Sequence, residues 1–448
     1  MTAEGETAVG ETARPRTPWS APTADGPVTA VIELPGSKSL TNRALVLAAL
    51  STTPTRISAP LRARDTLLMA AALRSLGVDL QDDGADWVVR PGALHGGSVD
   101  CGLAGTVMRF VPPLAALAVG DSHFDGDPAA RTRPMSTLID GLRQAGAVIS
   151  DRSCGVLPFT VHGAGSLPGG RVQIDAAASS QFVSALLLAG PRFDKGLELL
   201  HDGPGLPSLP HIEMTVAALR EAGASIDTGT PNRWLVAPGA LDLTDLVIEP
   251  DLSNAAPFLA AALVTGGSVT VPRWPAETSQ PGALLAELLT SMGAAVALSD
   301  SGLTVTGTGV IRPLTADLHE ASELTPVLAA LCALADGESV ITGVAHIRGH
   351  ETDRLAALAT ELTGLGGDVT ETADGLVVRP ARLHGGRWHS YADHRMAQAG
   401  AVLGLAVTGV EVDDIGCTSK TLADFPGMWQ QLLSPVPSGP ALPTPAAE

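Results

Sequence analysis

The feature that most limits what this chain can fold into is a cadence. Five times, a Leu-rich helical turn closes on a glycine and hands over to two short runs around a polar turn: LRSLGVDLQDDGADWVVRPG, LRQAGAVISDRSCGVLPFTVHG, LREAGASIDTGTPNRWLVAPG, LLTSMGAAVALSDSGLTVTGTG and LTGLGGDVTETADGLVVRPA. The glycines are Gly77, Gly146, Gly223, Gly293 and Gly366, spaced 69, 77, 70 and 73 residues apart. Only glycine enters the left-handed position after a helix without steric cost, so each marks a helix end that leads into paired strands. Solenoid repeats have periods of roughly 20–50 residues. The longer period here makes each unit a small α+β subdomain, and the chain has room for six. The sixth is expected to be split, with the strand in VTAVIELP near residue 30 completing the helix in PGMWQQLL and bringing both termini into one domain. The expected fold is α/β, two lobes of repeated units.

Outside the repeats, residues 1–26 (Thr, Ala, Glu and Pro without an apolar period) and the Pro-rich residues 434–448 are expected to be disordered tails. The start, MTAEGETAVGETARP, lacks the basic residues and apolar stretch of a secretory signal. No uninterrupted apolar run is long enough for a membrane span. Asp and Glu number 47 against 28 Lys and Arg, a net charge of −19 that argues against nucleic acid as a bulk partner. Cys101, Cys154, Cys332 and Cys417 show no CxxC spacing, so they read as reduced thiols and not as a disulfide or zinc framework. The expectation is a soluble cytoplasmic protein with no nucleic-acid or membrane partner.

The basic residues divide into 25 Arg and three Lys: Lys38, Lys195 and Lys420. Lysine offers a compact, three-donor charge that arginine does not, and Lys38 and Lys420 both fall in loops that look built for a ligand. Pro35-Gly36-Ser37-Lys38-Ser39-Leu40-Thr41-Asn42-Arg43 runs into an apolar helix, where backbone N–H groups and the dipole favour an anion. It is not a phosphate loop of the GxxxxGK[ST] kind. A Ser-capped helix with solvated charges is the competing reading. Asp100 to Arg109, with Gly105, and Phe124 to Pro134, with Arg133, are further loops of this type. Ser179-Ser180-Gln181 offers two hydroxyls and an amide at a helix start. In the second half, Gly349-His350-Glu351-Thr352-Asp353-Arg354 approaches the HExxH zinc pattern but has Arg354 at the second histidine, so no metal is expected. Tyr391 to Met396 and Cys417 to Thr421 add Arg395 and Lys420, and Glu323 is a carboxylate beside an apolar helix, suited to accept a proton. Surface ion pairs are the competing reading for each alone. Taken together, cations in Gly/Ser/Thr loops over both halves of an acidic protein point to a cleft for strongly anionic small molecules.

In this order and spacing, PGSKSLTNRA, LAGTVMRF, a GDP…RP loop, SSQF, ETDRL, YADHRMA and CTSKT resemble the EPSP synthase family of enolpyruvyl transferases, from about residue 27 to 433. The resemblance implies two lobes of three βαβαββ units each, residues 27–35 with 250–433 in one and 36–249 in the other. It implies transfer of an enolpyruvyl group from phosphoenolpyruvate to the 5-hydroxyl of shikimate 3-phosphate, with no cofactor or metal. Lys38, Ser39 and Arg43 would then touch both substrates. Ser179, Ser180, Gln181 and Ser208 would hold the shikimate phosphate and hydroxyls, and Gly105, Arg133, Arg354, Arg395 and Lys420 the phosphoenolpyruvate. Glu323 would take the hydroxyl proton and Glu351 protonate the methylene, Lys38 assisting.

The chain departs from the family's common pattern at Leu103 (often Asn), Glu323 (often Asp) and His350 (often Lys). A substitute cation at His350 would carry charge only when protonated, which would make phosphoenolpyruvate binding weaken as pH rises. The related cell-wall enzyme, UDP-N-acetylglucosamine enolpyruvyl transferase, has a cysteine in a loop that here, Asp127 to Pro134, contains none. A non-catalytic anion-binding scaffold would be expected to lack Lys38 or Glu323.

Overall fold

The computed structural model describes residues 18–434. Three units share one pattern without interruption: strand, helix, strand, helix, then a hairpin whose second strand inserts beside the second. The first is Ser98–Asp100, Gly105–Leu117, Val119–Asp125, Ser136–Gln144, Val148–Ser150 and Phe159–Ala164. The other two run from Gly170–Ile174 to Arg233–Val236 and from Thr315–Asp317 to Leu376–Arg379. In each sheet the outer pair is parallel and the rest antiparallel, as with Gly170↔Leu197 and Leu197↔Val236. All five cadence glycines have φ between +85° and +105°, directly after the second helix of their unit.

The other three units borrow a strand from elsewhere. Leu246–Val247 lies parallel to Thr55–Ser58, so the unit nearest the N-terminus, which precedes the Ser98 unit, is completed by chain from 189 residues later. Thr29–Val31 lies parallel to Ser268–Val271 and completes the fourth. The expected partnership of VTAVIELP with the sixth unit is therefore corrected. Its strand joins another sheet, while the Phe425–Leu433 helix only packs against it. The strand that does complete the sixth sheet is Trp19–Ser20, antiparallel to Val410–Val412. That also corrects the expected N-terminal tail, which is structured from Trp19 onward. Residues 1–17 and 435–448 of the expected tails lie outside the described residues.

There are two separate hydrophobic cores. One is built from residues between Ala44 and Ile248, the other from Ala21–Leu34 together with Leu252–Leu432. The chain crosses between the lobes twice, and the crossings are paired: Ser37 N donates to the Glu249 carbonyl at 2.8 Å and Asp251 N to that of Pro35 at 3.0 Å. Inside each lobe the first helices of the three units are buried on all sides over most of their length and pack on one another. No helix among the described residues is long and apolar enough to cross a membrane.

Candidate active site

The packed helices position the site because their N-termini face the cleft between the lobes. Lys38 opens the Lys38–Leu50 helix, Gly105 the Gly105–Leu117 helix, Gln181 the Gln181–Ala189 helix and His394 the His394–Gly404 helix, while Glu323 lies two residues before Thr325–Ala333. Free N–H groups and positive dipole ends thus converge where anions would bind. Two adjoining cavities of about 110 and 60 Å³ fill the cleft. Lys38, Ser179, Gln181, Glu323 and His350 line both. Gly105, Arg133, Glu351, Arg354, Arg395 and Lys420 belong to the larger, and Ser39, Arg43, Ser180 and Ser208 to the smaller. Every residue expected from the sequence reaches one cavity or the other.

The charges are interlocked. Burial would raise the Glu323 carboxyl, but Arg395 at 2.8 Å, His211, Lys38 and Arg354 together hold it well below the usual carboxylate range. It is an ionised acceptor. Glu351 is buried too, and there Lys420 and Arg354 outweigh burial, so it is also ionised. Burial likewise opposes the charge on Arg354, yet Asp393 and Glu351 raise its pKa above the ordinary arginine value. Its guanidinium meets Asp393 in a two-bond fork at 2.7 and 3.1 Å, and both partners are almost wholly buried. Arg43 is pushed down to about 9 by burial, against the pull of Glu323, and remains a cation at neutral pH. Its guanidinium donates to Thr215 Oγ1, the Ser39 carbonyl and the His211 carbonyl at 2.8–3.0 Å.

Several contacts at the site were not read from the sequence. Asp65, second residue of the Arg64–Ser75 helix, is buried 3.6 Å from Lys38. Arg109 is buried behind Gly105, bonded to the Gln181 side chain at 3.3 Å and lying over the Phe182 ring. Arg109 itself was read as one of the loop cations of the cleft; its contacts with Gln181 and Phe182 were not. Asp393 was visible as a residue preceding an apolar helix, and it does cap that helix, accepting from Arg395 N at 2.9 Å. Its grip on Arg354, 39 residues away, had no local signature. Among the described residues, no group of three His, Cys, Asp or Glu side chains is arranged to hold a metal ion.

The model of EPSP synthase (3-phosphoshikimate 1-carboxyvinyltransferase) matches residues 22–429. The chain belongs to the EPSP synthase family. It is 55% identical over 428 residues to a curated 3-phosphoshikimate 1-carboxyvinyltransferase of Kocuria rhizophila, covering 93% of this chain and 96% of that one. Two solved structures show the same fold. An EPSP synthase of Acinetobacter baumannii superposes with a TM-score of 0.77 at 24% identity, covering 92% of this chain and 97% of the other. The enolpyruvyl transferase NikO of Streptomyces tendae gives 0.72 at 18%, covering 93% and 98%.

Two of the departures from the EPSP synthase pattern acquire a physical meaning. Leu103 puts its side chain in the core, and its carbonyl accepts from Arg133 at 3.3 Å. It lines neither cavity. His350 is no substitute cation: burial, and then Arg354, push its pKa well below the ordinary histidine value. Its Nδ1 lies 3.0 Å from Arg354 Nη1, a group that can only donate, so this nitrogen accepts and the ring is neutral.

Proposed function

We propose that the chain transfers the enolpyruvyl group of phosphoenolpyruvate to the 5-hydroxyl of shikimate 3-phosphate, giving 5-enolpyruvylshikimate 3-phosphate and phosphate. What carries this reading is one cleft, in a member of this family, that faces two ionised carboxylates, Glu323 and Glu351, with cations drawn from both lobes. The division into residues 19–35 with 250–433 and 36–249, hinged at the paired crossings, belongs to the same proposal. So do a monomeric state and a cytoplasmic location.

The residues divide the work. Lys38, Ser39, Arg43, Ser179, Ser180, Gln181 and Ser208 hold shikimate 3-phosphate in the smaller cavity. Gly105, Arg133, Arg354, Arg395 and Lys420 hold the carboxylate and phosphate of phosphoenolpyruvate in the larger. Glu323, ionised and facing both cavities, takes the hydroxyl proton as the oxygen bonds to the enol carbon. The methylene carbon takes a proton in the same addition, and Glu351 is the donor. Glu351 holds no proton while Lys420 and Arg354 face it; a bound dianionic phosphate engages those cations and adds a like charge, which raises the carboxyl's pKa and equips it as an acid. The tetrahedral adduct then loses a proton from the new methyl group and expels phosphate, whose leaving charge the same cations stabilise.

Incubating the purified chain with both substrates in EDTA and following phosphate and product tests this. Turnover is expected. Phosphate release with UDP-N-acetylglucosamine and none with shikimate 3-phosphate would overturn it.

A further inference from the structure

Beyond the residues that face substrate, the smaller cavity is bounded by contacts made between the lobes, and one of them leads directly to Glu323. We propose that His319 is a positioning residue, a strut that ties the Leu206–Pro207–Ser208 loop of one lobe to the segment carrying Glu323 on the other, and so sets the proton acceptor when the lobes meet. This rests on the function proposed above.

His319 is fixed in its own lobe. Its backbone N–H donates to Asp317 Oδ1 at 2.8 Å, and the preceding Leu318 N–H to the Thr342 carbonyl at 3.0 Å. The ring stands edge-on to His346, with centroids 5.7 Å apart. Its other nitrogen, Nε2, donates across the cleft to the Leu206 carbonyl at 2.8 Å. A second cross-lobe contact lies two residues further along the loop: Ser208 Oγ is 3.5 Å from Ser322 Oγ, which His346 Nε2 holds at 2.8 Å. Glu323 is the next residue after Ser322, and His211 of the opposite lobe lies 3.8 Å from its carboxylate.

Ser208 also sits at φ 51°, ψ 52°, a left-handed conformation that a serine keeps only when its surroundings impose it. The loop offering a hydroxyl to the first substrate and the carboxylate that deprotonates that substrate are thus held together by His319 and Ser322, five residues spanning strut to base. A general base must lie within hydrogen-bond reach of its proton, so loosening the strut affects the chemical step before it affects binding.

Three variants separate the possibilities: His319→Ala removes the ring, His319→Phe keeps the ring without a donor, and His319→Gln keeps a donor without the ring. Losing the hydrogen bond to the Leu206 carbonyl that orients the base is expected to lower kcat by about tenfold in the Ala and Phe variants, with the dissociation constant for shikimate 3-phosphate within about twofold of wild type. Gln should recover most of kcat. Small-angle scattering at saturating shikimate 3-phosphate should give the Ala and Phe variants a larger radius of gyration than wild type. Unchanged kcat in Ala and Phe, a Gln variant as impaired as Ala, or a loss confined to substrate affinity each overturns the strut. Should Ala fail to fold, Phe retains the packing on His346 and decides. If the wild type does not turn over these substrates, the proposed function fails, and the strut stands or falls on compaction alone, equal radii in wild type and variants overturning it.

Discussion

At the scale of single residues the site is crowded by its own cations. A Cβ at Gly105 would lie 2.8 Å from Arg109 Nη1, 3.1 Å from Gln181 Oε1 and 3.2 Å from Arg133 Nη1. These are the far ends of side chains, so they can move and the fold tolerates the methyl group. What moves, however, is the anion-binding set. Gly105→Ala should leave thermal unfolding nearly unchanged and raise KM for phosphoenolpyruvate by about tenfold or more, roughly 1.4 kcal/mol per decade. An unchanged KM would mean that the arginines relax without consequence. His350 yields a second expectation. Because its pKa is depressed, the ring is neutral at every pH above that low value, so its charge does not change near neutrality. Between about pH 6 and 8, KM for phosphoenolpyruvate in the wild type and in His350→Lys should therefore run parallel, each following the ligand's own second phosphate ionisation. A steeper rise in the wild type would restore the histidine's role as a titrating cation. Both expectations concern residues that the sequence motifs pointed to; the close approach of Arg109 and Arg133 at Gly105, and the acceptor role of His350, depend on contacts that the motif strings do not show.

At the scale of elements, Asp393 joins two functions at one helix end. It caps His394–Gly404 through Arg395 N, and it carries the buried fork to Arg354 from the neighbouring unit. The two are separable. Asp393→Asn keeps an oxygen for the cap but turns an amide N–H toward Arg354, and breaking a buried ion pair in this way costs about 3–5 kcal/mol. Asp393→Ala loses the cap as well, about 1 kcal/mol more. Denaturant titration should therefore rank wild type, Asn and Ala in that order, with the larger gap first. An Asn variant as stable as the wild type would show that Arg354 does not depend on the fork. Helix ends of this kind were the most legible part of the chain, since a glycine forced to positive φ and an aspartate before an apolar run act through neighbours three or four residues away. Strand partnership was not: the Thr29–Val31 strand is recognisable as a strand, but its place beside Ser268–Val271 is settled 240 residues away.

At the scale of the molecule, two cores joined by paired crossings make a hinge, and the charges on either side make closure responsive to ligand. Lys38, Arg43 and Arg133 stand on one lobe and Arg354, Arg395 and Lys420 on the other. Lobes carrying like charge repel until an anion lies between them; the anion then attracts both. Shikimate 3-phosphate at saturation should contract the radius of gyration in small-angle scattering, and raising the salt concentration should weaken that contraction by screening. A radius that does not respond to the ligand would count against hinge closure.

The sequence by itself determined what local chemistry determines. It specified repeated subdomains through glycines that only a left-handed turn requires, an anion cleft through lysines and arginines in helix-opening loops, and the family through the order of those loops. Tertiary structure decided what depends on who meets whom. It assigned Trp19–Ser20 to the sixth sheet and Thr29–Val31 to the fourth, turned Leu103 inward, made His350 an acceptor, and brought His319 onto the Leu206 carbonyl. The reason is physical: a cap or a left-handed turn is stabilised by atoms a few residues away, whereas the state of a buried group follows from the field and hydrogen bonds of chain segments that only folding brings beside it.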